Sequence, residues 1–276
     1  MKKTIGIIGF GNMGSVISEG IKSKHRLWVF DKDRTKTKSL SEINVANNLV
    51  DLVNKVDAVI LAVKPQDFDD VLEEIKKYLI KDKLIVSIAA GISTRYIERT
   101  LGDVRVVRVM PNMGIKVGHG ISCLSKGKFA TEKDFDFAEE LFDYMGKTLR
   151  IEEEKMAAVT AVSGSGPGFY FDSIESILAG NKNPEEFTRE FIISLTRAAE
   201  ESGLKHEEAV FIASGTGNAC QLLLAETKIP PLELKKQITS KGGTTLAGLD
   251  ALHATGSLIE AVKAAKKRAE ELSKKE

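Results

Sequence analysis

Apolar residues follow two rhythms along this chain. In the first half, short continuous apolar runs alternate with stripes of helical spacing. Ile5-Gly-Ile-Ile8, Leu27-Trp-Val-Phe30, Asp57-Ala-Val-Ile-Leu-Ala-Val63, Leu84-Ile-Val-Ser-Ile88 and Val104-Arg-Val-Val-Arg-Val109 read as strands, most of them buried on both faces of a parallel sheet. Val45 marks one short strand more, and Gly118–Leu124 and Thr148–Ile151 add strands at the far edge. Between the runs, helical spacing joins Val16, Ile17, Gly20 and Ile21, then Leu49 to Val53, then Phe68, Val71, Leu72, Ile75 and Leu79. Thr131-x-x-Asp134 caps a helix carrying Phe135, Ala138, Leu141 and Phe142. This alternation predicts an α/β fold, a doubly wound sheet over residues 1–151. From Glu152 the β-branched runs stop and helical periodicity dominates, which predicts an all-helical domain over residues 152–276. Ser163-Gly-Ser-Gly-Pro-Gly168 reads there as a break between helices, and Ser257-Leu-Ile-Glu260 as the capping box of the last one.

A chain of 276 residues is long enough for two cores. Its 40 basic and 39 acidic side chains leave a net charge of +1, so no electrostatic footprint for nucleic acid or an anionic membrane stands out, and a small-molecule substrate is favoured. Cys123 and Cys220 lie far apart with no C-x-x-C or nearby histidine, so neither a disulfide framework nor a metal site is expected. The apolar run behind Met1-Lys-Lys ends at Gly9, too short for a signal peptide or a span, and a cytoplasmic protein is expected.

The candidate chemistry sits at two glycine-rich stretches. Gly9-Phe10-Gly11-Asn12-Met13-Gly14 follows the first strand with G-x-G-x-x-G spacing. Gly9 permits the tight turn, Gly11 lets a pyrophosphate approach the backbone, and Gly14 lets the next helix pack close. That helix would aim unpaired amides at the phosphates of a dinucleotide. Asp31 closes the second run about 20 residues further on, where such folds contact the adenosine ribose and where an acid favours NAD. Lys32, Arg34 and Lys36 pull towards NADP, so cofactor choice stays open. Lys64-Pro65 ends a central strand at the ligand edge of the sheet, and Ala89-Ala-Gly91 offers small residues on which a flat ring can lie. In the second stretch, Ser240-Lys-Gly242-Gly243-Thr244-Thr245, a helix begins with several amides unclaimed, which suits a carboxylate or a simple cap, and Thr245 can give or accept a hydrogen bond. His25, His119, His206 and His253 are read as surface or cap side chains, with only His253 near the second glycine stretch.

Taken with Ala62-Val63-Lys64-Pro65, Ser87-Ile-Ala-Ala-Gly91, Met110-Pro111-Asn112 and Ser163-Gly-Ser-Gly-Pro167, the two glycine stretches resemble the pyrroline-5-carboxylate reductase family almost from end to end. The resemblance implies an N-terminal Rossmann-type domain and a C-terminal all-α domain that forms an intertwined dimer, in many members a decamer. It implies reduction of a cyclic imine to proline with NADH or NADPH. Asn12 and Met13 would touch the pyrophosphate, Ala62 to Pro65 the ribose and nicotinamide, and Met110, Pro111 and Asn112 the ring. The amides of Gly242, Gly243 and Thr244 would hold the substrate carboxylate, and the Thr245 hydroxyl would meet the ring nitrogen as the catalytic group. Lys241 stands where the family usually has proline, and extra residues near 180–196 would lengthen a helical hairpin. Two alternatives remain: a 3-hydroxyacid dehydrogenase, with Lys155 as acid and base, and a non-catalytic redox sensor that binds dinucleotide.

Overall fold

Among the described residues, the apolar runs form eight strands in one sheet: β1 (Thr4–Ile8), β2 (Arg26–Phe30), β3 (Asn44–Val45), β4 (Ala58–Leu61), β5 (Leu84–Ser87), β6 (Arg105–Pro111), β7 (Gly120–Lys126) and β8 (Gly146–Arg150). Their order is β3-β2-β1-β4-β5-β6-β7-β8. The structure, a computed structural model, describes residues 2–78, 82–180 and 183–273. Pairing is parallel from β3 through β6. β6 and β7 run antiparallel, with bonds from Asn112 N to Ile121 O (3.0 Å) and from Gly127 N to Val106 O (2.9 Å).

The chain winds outward from β1 to β3 and then returns to β4 on the other side of β1. Ile8 is in register with both Phe30 and Leu61, and Leu61 with Ser87. The carboxyl ends of four strands are therefore level at the point where the winding direction reverses, the place where open sheets of this kind collect ligands.

Helices α1 (Asn12–Ile21), α2 (Leu49–Asn54), α3 (Phe68–Ile75), α4 (Thr94–Leu101) and α5 (Glu132–Asp143) alternate with the strands. Val59, Leu61, Ile85 and Val106 share a core with Leu52, Phe68, Leu72 and Ile97. Each such side chain, fully buried, contributes roughly 1.5–3 kcal/mol. The expected stripe on α3 holds for buried Phe68, Leu72 and Ile75, while Leu79 lies outside the described residues. The Thr131 capping box is present, with Asp134 N bonded to Thr131 Oγ1 (3.2 Å) and Thr131 N to Asp134 Oδ2 (2.9 Å).

The remaining helices are α6 (Met156–Val159), α7 (Gly166–Ala179), α8 (Pro184–Glu201), α9 (His206–Thr227), α10 (Pro231–Ile238), α11 (Thr244–Thr255) and α12 (Leu258–Ser273). The expected break at Ser163–Gly168 separates α6 from α7 as a π turn over Thr160–Gly164, closed by Ser165 N on Thr160 O (2.9 Å), and a bend at Ser165. The chain forms two compact units, residues 2–109 with 124–145 and residues 110–123 with 146–273. The sequence placed the boundary at 151. The segments 110–123 and 146–151 group with the helices because Met113, Ile121, Cys123 and Ile151 enter the helical core with Val159, Phe169 and Ile212.

Candidate active site

The first unit holds a cleft of about 350 Å³ at the level strand ends. Gly9 leaves β1 at φ +96°, and a Cβ there would lie 2.6 Å from Ala62 O, so both backbone conformation and space demand glycine. A Cβ on Gly14 would strike the Gly9 carbonyl. Gly11 differs, since a Cβ there would meet nothing within 4 Å and Gly11 lines the cleft. It is also the N-cap of α1, and no side chain caps that helix. An uncapped helix start beside an open backbone cradle fits a dinucleotide pyrophosphate.

Of the residues expected around the cofactor, Gly9, Gly11, Asp31, Ala62, Val63 and Lys64 line this one cleft. Phe10, Asn12, Met13 and Gly14 belong to the turn and helix start beside it, and Pro65 begins the 3-10 turn after Lys64. Ala89 and Gly91 are buried just past β5 and are not part of the lining.

Asp31 lines the cleft as expected and has a second task that the sequence does not show. It is 6% exposed, and its Oδ2 accepts from Phe10 N (2.7 Å) while Oδ1 accepts from Asp33 N (2.8 Å) and Lys36 Nζ (3.2 Å). The carboxylate thus ties the glycine turn to the end of β2 while it faces the cleft. Lys32 reaches Asp67 (2.6 Å) at the cleft, and that hydrogen bond raises its pKa. Lys32 and Lys36 line the cleft, whereas Arg34 turns to Ala46 O (2.8 Å) and the face of Phe30.

The second unit holds the other glycine stretch. Gly242 takes φ +69°, Gly243 N closes a turn on Ser240 O (3.0 Å), and α11 starts at Thr244 with no side-chain cap. That turn engages the Gly243 amide, one of the three expected to meet a carboxylate. Gly242 O accepts from Arg268 Nε of α12 (2.9 Å), which fixes the loop from behind. Lys241 is exposed. Thr245 is 4% exposed and donates to Ser165 Oγ (3.3 Å), and Ser165 Oγ in turn donates to Thr244 Oγ1 (3.0 Å). A Cβ on Gly168 would strike the Thr245 methyl, so glycine at that position lets α7 and α11 close on each other.

Met110, Pro111 and Asn112 also belong to this unit. Asn112 is buried, and its Oδ1 accepts from Gly114 N (3.0 Å) and Ile121 N (3.1 Å), which joins the end of β6 to the start of β7. Its Nδ2 is a buried donor with no partner among the described residues. Asp172 on α7 holds Lys235 of α10 (2.8 Å) and His253 of α11 (2.7 Å).

Ser165, Arg268 and Asp172 carry no role in the sequence reading. Ser165 lies within Ser163-Gly-Ser-Gly-Pro167, but its partners are 79 and 80 residues away, and no local pattern reports such a contact. Lys155 pairs with Glu208 (2.8 Å) and Glu152 (3.1 Å), and its hydrogen bond to Glu208 leads in raising its pKa, the wrong direction for a lysine base. Burial pushes both cysteine thiols up, which keeps them unreactive. No group of metal-ligating side chains occurs among the described residues.

Residues 186–272 match the family described as pyrroline-5-carboxylate reductase dimerisation, and residues 4–91 the one described as NADP oxidoreductase, coenzyme F420-dependent. The chain is 34% identical to the pyrroline-5-carboxylate reductase of Methanosarcina acetivorans, with 98% of each chain covered. This chain belongs to the pyrroline-5-carboxylate reductase family. The fold agrees with the pyrroline-5-carboxylate reductase of Coxiella burnetii (TM-score 0.67, 28% identity, 99% of this chain and 100% of that one). It also agrees with the Plasmodium falciparum pyrroline carboxylate reductase solved with NADP bound (TM-score 0.62, 26% identity, 98% of each chain). The family's dimerisation region thus spans α8 to α12 and includes Ser240 to Thr245.

Proposed function

We propose that this chain reduces the C=N bond of 1-pyrroline-5-carboxylate with NADH or NADPH, giving L-proline. The observation that carries this reading is the start of α11, two adjacent hydroxyls on an uncapped helix in a chain that matches the family over its length. When bound, the reduced nicotinamide supplies the hydride that the imine carbon receives. In the sheet unit, the turn at Gly9, Gly11 and Gly14, with Asn12 and Met13, holds the pyrophosphate, and Ala62 to Pro65 line the ribose and nicotinamide. In the helical unit, the amides of Gly242, Thr244 and Thr245 hold the carboxylate, the Gly243 amide being taken by Ser240. The Thr245 hydroxyl pairs with the ring nitrogen. No strong acid is required of the protein, because a cyclic imine can bind already protonated.

The engagement of Asp31 together with Lys32 and Lys36 on the cleft wall supports use of NADPH as well as NADH. The unit working in solution is a homodimer joined through the helical domain, assembled further into a decamer. We place it in the cytoplasm, a reducing compartment where its two free cysteines persist as thiols. No helix among the described residues is long and apolar enough to cross a membrane. Absorbance at the reduced-cofactor band, followed with 1-pyrroline-5-carboxylate and with each cofactor, tests the function. Imine-dependent oxidation with matching proline formation is expected. Tight cofactor binding without turnover would favour the sensor alternative, and turnover of a 3-hydroxyacid in place of the imine would favour the dehydrogenase.

A further inference from the structure

Ser165 joins the two threonines at the start of α11. Its side chain is fully buried, accepts from Thr245 Oγ1 (3.3 Å) and donates to Thr244 Oγ1 (3.0 Å). A serine hydroxyl has one hydrogen, so it can donate to one threonine and not to both. In this geometry it spends that hydrogen on Thr244 and accepts from Thr245, so the two threonines are turned opposite ways. The one that receives from Ser165 keeps its own hydrogen to offer outward, and the one that gives to Ser165 offers lone pairs outward.

We infer that Ser165 is a positioning residue that sets Thr244 as an outward donor and Thr245 as an outward acceptor, so that α11 selects a ligand with a carboxylate and a protonated ring nitrogen. The inference rests on the proposed imine reduction and adds the protonation state of the ligand that binds. A carboxylate only accepts, which suits Thr244 beside the first-turn amides. An iminium N–H only donates, which suits Thr245. Burial keeps bulk water from reversing the chain, since Ser165 is 0% and Thr245 4% exposed. Two features hold Ser165 in place. The π turn bonds its amide to Thr160 O five residues back (2.9 Å), and Gly168 leaves room for the Thr245 methyl. The neighbouring buried hydroxyls of Ser163 and Thr216 have no partner among the described residues, so neither feeds a second hydrogen into the chain.

Steady-state kinetics of the full-length enzyme with 1-pyrroline-5-carboxylate and NADPH tests this. Ser165→Ala should lower kcat/KM for the imine about tenfold and leave the KM for NADPH unchanged. In a Thr245→Val background, Ser165→Ala should cost less than about twofold more, because its effect passes through Thr245. Thr244→Val should act mainly on the KM for the imine and Thr245→Val mainly on kcat, a split that serves even if Ser165→Ala fails to fold. Losses that multiply in the double variant, full activity in Ser165→Ala, or identical KM and kcat changes in the two threonine variants would overturn the inference while leaving the function intact. A wild-type enzyme that does not oxidise NADPH with the imine would overturn the functional reading and the inference with it.

Discussion

Both proposed grips are helix starts without a side-chain cap, yet they are finished in opposite ways. At α1 the turn is shaped by glycines and surrounded by charge: Asp31 braces it, and Lys32, Lys36 and Asp67 stand on the cleft wall. At α11 the side chains bonded to one another at the helix start are neutral hydroxyls, Thr245 to Ser165 to Thr244, while Arg268 holds the Gly242 carbonyl, Asp172 ties α7 to α10 and α11, and Lys241 is exposed in the loop. A large, multiply charged ligand can be held by backbone amides and solvated cations with little demand on hydrogen direction. A small ligand carrying one acceptor end and one donor end needs groups whose polarity is fixed before it arrives.

Breaking the first grip should have the largest effect, and its glycines should separate. Gly9→Ala combines positive φ with a clash on Ala62 O, and we expect a loss of about 2–4 kcal/mol in stability, read by thermal or urea unfolding. A Cβ at Gly11 meets open space, so Gly11→Ala should keep native stability while weakening cofactor binding about tenfold, read by fluorescence titration. If both variants unfolded alike, Gly11 would be structural and the cradle misassigned.

At the second grip, Thr245→Val should lower kcat/KM by about 10- to 100-fold, the size of one hydrogen bond to a charged group, with cofactor affinity intact. Equal weakening of cofactor binding would erase the distinction between the two starts.

Next comes the clamp on α11. Burial tends to raise the Asp172 pKa, but the hydrogen bonds from Lys235 and His253 outweigh it and hold the carboxyl below its ordinary value of 3.8. A folded value below the unfolded one means that the clamp's stabilisation is complete above about pH 4 and fades as pH falls through the lowered value. Asp172→Asn should therefore cost about 1–2 kcal/mol at pH 7 and progressively less as pH falls through the lowered value, measured by urea unfolding across pH. A loss independent of pH would contradict the ion-pair account.

The smallest expected change is at the charged rim. Lys36→Ala should raise the KM for NADPH about three- to fivefold and leave that for NADH nearly unchanged. Equal changes for both cofactors would remove Lys36 from 2′-phosphate recognition.

The same contrast explains what was readable from the residues. Buried strands and the glycine turn are written locally, in apolar runs and fixed spacing, and β1, β2, β4 and β5 appear where those runs lie. Helix α4 left a weak trace, since its apolar face is chiefly Ile97 and Leu101 between polar residues, and its Ser93 cap on Tyr96 N (3.1 Å) shows only in three dimensions. The bracing role of Asp31 depends on the Phe10 amide 21 residues earlier. At the helical site the residue types pointed to Thr245, but which amides the turn engages and which serine orders the threonines depend on contacts across the fold that periodicity does not encode.

The most direct measurement is a crystal structure of the full-length enzyme with L-proline and oxidised cofactor. The proline carboxylate should lie within hydrogen-bond distance of the Gly242 and Thr244 amides, with the ring nitrogen on Thr245 Oγ1 and Thr245 still bonded to Ser165. A carboxylate bound away from residues 242–245, or a ring nitrogen whose partner is a charged side chain, would contradict the account.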